Sequence, residues 1–270
     1  MKLAMIGCGN MGGALLARWL DAGVVQRSAV SVCVVQEDVA EQVRSSHGVV
    51  CGTDVATALH GADVVVIAVK PQQRGAVLQA AAQARPGPDG PLWISILAAV
   101  TVPQLQQGLG DQARVLRWMP NTPVAVGRGV VAWSAGPGLT QLDLDRQQQL
   151  LGPLGLTMPL PEPQIDAFTA VAGCGPAYVF ALCEALEQAA QAVGLQGPQA
   201  AALARQTIVG AAHLLDGDVR SAQQLREAVT SKGGMTEAAL AQLQQQGWGD
   251  AMTVAVQAAV KRADQLSGGG

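Results

Sequence analysis

Basic and aromatic side chains are scarce in this chain. Its 270 residues include three histidines, four lysines, one tyrosine and two phenylalanines. Only 14% of residues are charged and the net charge is −3. Nucleic-acid binding needs a cationic footprint to neutralise phosphates, and none is present. Mechanisms built on a histidine base or a helix-borne lysine have few candidates. The cysteines are five, Cys8, Cys33, Cys51, Cys174 and Cys183, with no Cys-x-x-Cys pair. An odd count without that pairing excludes a disulfide framework and a zinc site, so no metal is expected. No apolar run approaches the roughly 18 residues that cross a membrane. The apolar run after Lys2 stops at Gly7, too soon for the core of a signal peptide. The expectation is a reduced, cytoplasmic chain with no membrane and no nucleic-acid partner.

What is present is apolar and turn-rich. Hydrophobic residues make up 49%, which excludes disorder, and Gly 32 with Pro 14 implies many turns. Short apolar runs at residues 2–6, 30–35, 64–69, 92–96, 114–118 and 130–133 alternate with helical patterns. The run from Val64 to Val69 shows no polar alternation, as expected of a parallel strand covered on both faces. Strands alternating with helices predict an α/β fold, a doubly wound Rossmann-type sheet. The character changes at Pro159-Leu160-Pro161-Glu162-Pro163. Beyond Asp166 the pattern is helical, with Pro176 and Pro198 at helix starts and Gly194 and Gly247 at helix stops. The predicted division is residues 1–160, a dinucleotide-binding domain, and residues 161–270, an all-helical domain. The glycines that end the chain are expected to form a disordered tail.

The first run ends in Gly7-Cys8-Gly9-Asn10-Met11-Gly12, directly before a helix. In that context a Gly-x-Gly-x-x-Gly turn binds a dinucleotide. Gly7 permits the tight turn, Gly9 lets backbone approach a pyrophosphate, and Gly12 lets helix pack on strand. The helix N-terminus then holds the anion. The second strand is followed by Gln36-Glu37-Asp38. An acidic residue there holds the ribose hydroxyls of NAD, an arginine the 2′-phosphate of NADP. Glu37 and Asp38 lean towards NAD, but Asp38 serves equally as a helix cap, so the residues alone leave the cofactor open. Lys70, in Val69-Lys70-Pro71-Gln72, ends a strand where ligands of open sheets bind, although strand-end lysines commonly face solvent. Asn121, flanked by Pro120 and Pro123, offers an amide to a nicotinamide or completes a structural turn. Ser231-Lys232-Gly233-Gly234-Met235-Thr236 precedes a helix, and a Gly-Gly turn there is a ready site for a small carboxylate. Thr236 as a plain helix cap is the competing reading.

Taken in order, these motifs resemble pyrroline-5-carboxylate reductases. The resemblance rests on residues 7–12, Ala68–Gln72, Arg117-x-Met119-Pro120-Asn121-Thr122-Pro123, Gly173-x-Gly175-Pro176-Ala177-Tyr178 and Thr230-Ser231-x-Gly233-Gly234-x-Thr236, and runs from residue 3 to about 265. It implies reduction of 1-pyrroline-5-carboxylate to L-proline by hydride transfer from NADPH or NADH. It implies a helical domain that pairs with a second copy and holds the substrate at that interface. It places Ile6, Gly7, Cys8, Gly9, Asn10, Met11, Gly12, Gln36, Ala68, Val69, Lys70, Pro71 and Ala98 at the cofactor. Ser231, Gly233, Gly234 and Met235 fall at the substrate carboxylate, and Thr236 and Glu162 at its ring nitrogen. The chain departs from the family pattern at Val55, Ala99, Ala172, Cys174 and Lys232. A β-hydroxyacid dehydrogenase is the rival enzyme, but its catalytic lysine would sit within the first long helix of the second domain, where this chain has none. A cofactor-binding sensor without turnover is the rival from another class.

Overall fold

The computed structural model describes residues 1–84 and 90–267, without the side chains of Pro71, Leu266 and Ser267. The expected glycine tail lies outside the described residues. The chain divides into two compact units. One is Met1–Gly173 with the residues from Val260 onward, and the other is Cys174–Ala259.

The first unit carries an eight-stranded sheet. Its strands are β1 (Leu3–Ile6), β2 (Val30–Cys33), β3 (Val50–Gly52), β4 (Val64–Ile67), β5 (Leu92–Ser95), β6 (Val115–Pro120), β7 (Gly129–Ala135) and β8 (Gly155–Pro159). The spatial order is β3-β2-β1-β4-β5-β6-β7-β8, parallel throughout except for the antiparallel β6–β7 pair. The order reverses between β1 and β4, and that switch point is where open sheets bind ligands. Each central strand is apolar on both faces. Leu3 and Met5 pack into one hydrophobic layer with Leu15, Leu16 and Trp19. Ala4 and Ile6 face a second layer with Val77, Leu78 and Leu105. Side chains alternate sides along a strand, so a strand buried on both faces reads as one continuous apolar run.

The helices of this unit are α1 (Asn10–Asp21), α2 (Glu37–His47), α3 (Val55–Leu59), α4 (Arg74–Gln83), α5 (Val102–Leu109), α6 (Gln141–Leu151) and α7 (Ile165–Phe168). Trp19 of α1 ties the first to the sixth: its indole N–H donates to the Leu150 carbonyl at 2.7 Å. Its ring meets Trp118 edge to face, with centroids 6.5 Å apart. Two strands were absent from the sequence pattern, β3 and β8.

The helices that follow are α8 (Gly175–Ala192), α9 (Gly197–Gly217), α10 (Ala222–Ala228), α11 (Met235–Gln245) and α12 (Trp248–Ser267). As predicted, Pro176 and Pro198 stand in first turns. Gly194 and Gly247 adopt positive φ just after helices end. Within Cys174–Ala259 only Ala200 and Ala204 are buried among the described residues. The helical stretch Glu162–Ala192 is long and apolar enough, by length and composition, to cross a membrane. The sequence reading sought an unbroken apolar run and passed over one diluted by small and polar residues.

Candidate active site

A cleft of about 490 Å³ opens at the switch point, lined by the carboxyl ends of β1, β2 and β4. Ile6, Gly7, Cys8, Gly9, Gln36, Ala68, Val69 and Lys70 all line it, so eight of the predicted cofactor residues meet in one place. The three glycines divide the work as their spacing predicted. Gly7 has φ +88°, and a Cβ there would lie 2.7 Å from the Ala68 carbonyl oxygen. Gly12 lets α1 pack down, since a Cβ would sit 3.1 Å from the Ala68 Cβ. Gly9 has nothing within 4 Å of such a Cβ, so its exposed face is clear for a ligand. Gly9 caps α1 without any side-chain hydrogen bond. The first-turn N–H groups are therefore left for an anion. The residues fit a dinucleotide pyrophosphate on these three counts.

The electrostatics of the ribose end differ from the first reading. Glu37 begins α2, and its carboxylate accepts from Arg44 Nη2 at 2.7 Å. Arg44 also binds Glu41 and the Cys51 carbonyl, each at 2.7 Å. Asp38 is not a cap, because Gln36 holds that position. Lys70 is the one charged residue among the described lining. Arg44 thus claims Glu37, and neither Glu37 nor Asp38 is among the described lining, which weakens the lean towards NAD. Cys8 and Cys33 also line the cleft, and burial pushes both thiols up to about 11. They are neutral at ordinary pH and contribute apolar surface. Sequence reading missed Cys33, Thr53 and Gln73 in the lining, because those positions carry no motif of their own.

The other predicted cofactor residues are placed as follows. Asn10, Met11 and Gly12 form the first turn of α1. Pro71 opens a 3-10 turn, Pro71–Gln73. Ala98 precedes Ala99, which holds the left-handed φ of +58° that favours glycine. Asn121 is buried, and its amide is engaged at both ends with backbone. Nδ2 donates to the Ala172 carbonyl at 2.9 Å and Oδ1 accepts from the Val130 N–H at 2.8 Å. These bonds match the structural one of the two readings: Asn121 joins β7 to the π-helical turn Thr169–Gly173.

Glu162 belongs to a charged cluster in the same unit. Arg117, in β6 and 1% exposed, lies 3.3 Å from Glu162 Oε1 and 3.2 Å from Asp166 Oδ1. Glu162 Oε1 also accepts the Val102 N–H at 2.7 Å. Two carboxylates on one guanidinium leave an excess negative charge, the sign that favours a cation nearby.

In the second unit, the Ser231–Gly234 turn is closed by the Gly234 N–H donating to the Ser231 carbonyl at 3.0 Å. Gly233 has φ +74°. The cap of α11 is Gly234, without a side-chain bond, so the reading of Thr236 as a cap is corrected. Met235, 92% exposed, and Thr236 stand in the open first turn. Glu237 was not anticipated: its Oε2 accepts the Gly233 N–H at 2.6 Å, so a carboxylate already rests on this turn. A Glu three residues into a helix reaching back is a capping signature that could have flagged it. Tyr178 is half-buried and hydrogen-bonded to Cys174, and burial raises its hydroxyl. Among the described residues, no group of three or more His, Cys, Asp or Glu is placed to hold a metal.

Comparison with known proteins agrees with this layout. Residues 162–266 match the pyrroline-5-carboxylate reductase dimerisation family. Residues 2–99 match the family described as NADP oxidoreductase, coenzyme F420-dependent. The pyrroline-5-carboxylate reductase of Mycobacterium tuberculosis is 36% identical over 98% of this chain and 96% of its own length. That of Synechocystis is 34% identical over 98% of each. The solved pyrroline-5-carboxylate reductase of Coxiella burnetii superposes with a TM-score of 0.89 at 32% identity, covering 98% of both chains. The Plasmodium falciparum pyrroline carboxylate reductase, solved with NADP bound, superposes at 0.88 with 25% identity over 99% of this chain and 98% of its own. The chain belongs to the pyrroline-5-carboxylate reductase family.

Proposed function

We propose that this protein reduces 1-pyrroline-5-carboxylate to L-proline with NADPH, accepting NADH less well, in the cytoplasm and as a dimer formed through its helical domain. The observation that carries the reading is the cleft at the switch point, where Gly7, Gly9 and Gly12 meet the three demands of a dinucleotide turn. Full-length likeness to reductases of this name supports the substrate. The preference for NADPH rests on Lys70, the one charged side chain of the described lining, and on Glu37 being held by Arg44. We assign residues 1–160 to cofactor binding and 161–270 to dimerisation and substrate binding.

When bound, the reduced nicotinamide supplies the hydride. Ile6 to Gly12, Gln36, Ala68 to Pro71 and Ala98 hold the cofactor, and Asn121 keeps β7 and the 169–173 turn in register behind it. Ser231, the backbone of Gly233 and Gly234, and Met235 receive the substrate carboxylate. Thr236 hydrogen-bonds the ring nitrogen. Glu162 stabilises positive charge on the protonated imine. Such an imine is already electrophilic, so orientation and electrostatics suffice and no histidine is required. The rival dehydrogenase reading fails on position: Lys232 precedes α11 and Lys261 lies in α12, so neither lies in α8.

The test is consumption of NADPH, and separately of NADH, by the purified protein given pyrroline-5-carboxylate, with proline identified as product. Turnover faster with NADPH supports the reading. Cofactor binding without turnover overturns it and favours a sensor.

A further inference from the structure

Arg117 is out of water, and an uncompensated buried guanidinium is strongly destabilising. Glu162 and Asp166, four residues apart, answer it through Nη1 and Nη2 respectively. The match is imperfect, because Nε is buried with no partner among the described residues. For stability alone, a buried ion cluster of this kind is commonly replaced by apolar side chains at no loss. The arrangement does something else well. Glu162 Oε1 takes two donors, the Val102 N–H at 2.7 Å and Arg117 at 3.3 Å. Oε2 has no protein partner among the described residues, and the side chain is 23% exposed. A glutamate free on its stem samples many rotamers. This one is held by Oε1, and Oε2 is left without a partner among the described residues.

We propose that Arg117 is a positioning residue of the reaction: with the Val102 N–H it holds Glu162 so that Oε2 faces the cationic imine. The inference rests on the role given to Glu162 above. Arginine suits the task because its planar fork binds Glu162 and Asp166 at once, while a lysine ammonium offers one point charge. The same grip reaches the cofactor side. Val102 is the first residue of α5, and the turn before it contains Ala98 and the strained Ala99.

The experiment compares full-length wild type, Glu162→Gln, Arg117→Lys and the double variant, with pyrroline-5-carboxylate and NADPH. Arg117→Lys keeps the charge and is expected to lower kcat roughly tenfold to a hundredfold with KM for NADPH nearly unchanged. In the Glu162→Gln background the same change is expected to cost no more than about twofold, since residues acting as a unit are not additive. Losses that multiply, or a wild-type kcat for Arg117→Lys, overturn the proposal. A wild-type kcat/KM for Glu162→Gln removes the role of Glu162 itself, and this inference with it. Should Arg117→Lys not fold, Val102→Pro removes the other donor at a position where proline is tolerated. A kcat loss there that disappears in the Glu162→Gln background supports the grip, and a loss that persists overturns it.

Discussion

Glu237 sits where a substrate carboxylate is proposed to bind. Its 2.6 Å bond to the Gly233 N–H shows what this turn does with a carboxylate, and it also makes the two compete. Glu237→Gln keeps the size and weakens the hold on the N–H. The expected result is a KM for pyrroline-5-carboxylate lowered several-fold with kcat unchanged, read from initial rates. A raised KM would mean that Glu237 supports the turn and does not compete. The buried thiols give a pH signature. Burial raises Cys33 from an ordinary value of 9.0 to about 11. The folded state therefore keeps a proton that the unfolded chain has released. That stabilisation is fully present below about pH 9 and is lost as pH rises towards about 11. Melting temperature against pH should fall across that window, and fall less steeply in Cys33→Ala. These residue-scale features were hidden in the sequence for a definite reason. Arg117 meets partners 45 and 49 positions away, and Arg44 claims Glu37 only once α2 has formed. The glycine turns were legible because their chemistry is local.

At the scale of elements, the turn between β1 and α1 makes a sharp forecast. Gly7→Ala meets both a positive φ and the Ala68 carbonyl, so it should lower stability by about 1–3 kcal/mol as well as cofactor affinity. Gly9→Ala meets nothing in the protein. At the cap of α1 the change should cost well under the loss at Gly7, and still weaken NADPH binding, measured by fluorescence titration. Equal loss of stability in both variants would contradict the assignment of Gly9 to the ligand. The central strands were readable because burial on both faces makes them uniformly apolar. β3 has three residues and an exposed Val50. β8 begins at Gly155 with φ +125° and is exposed at Leu156 and Met158. Strands at the sheet's two edges need less apolar surface, and so they left no run to find.

For the whole molecule the decisive quantity is the uncovered apolar surface of Cys174–Ala259. Phe180 is 62% exposed, and Leu203, Leu214 and Leu215 are each 51% exposed. A unit with two buried alanines has too little core to hold its helices on its own. Its apolar area must be covered by another chain, in keeping with the dimerisation family matched over residues 162–266. Burying one large aromatic side chain stabilises by roughly 1.5–3 kcal/mol, and in a twofold dimer each such residue counts twice. Phe180→Asp should therefore shift the protein from dimer to monomer in light scattering and abolish proline formation. NADPH binding should survive, because the described lining of the cleft runs from Ile6 to Val77. A variant that stays dimeric with full activity would place the partner's contact elsewhere on the helical unit, while lost NADPH binding would show that the cleft depends on the partner as well.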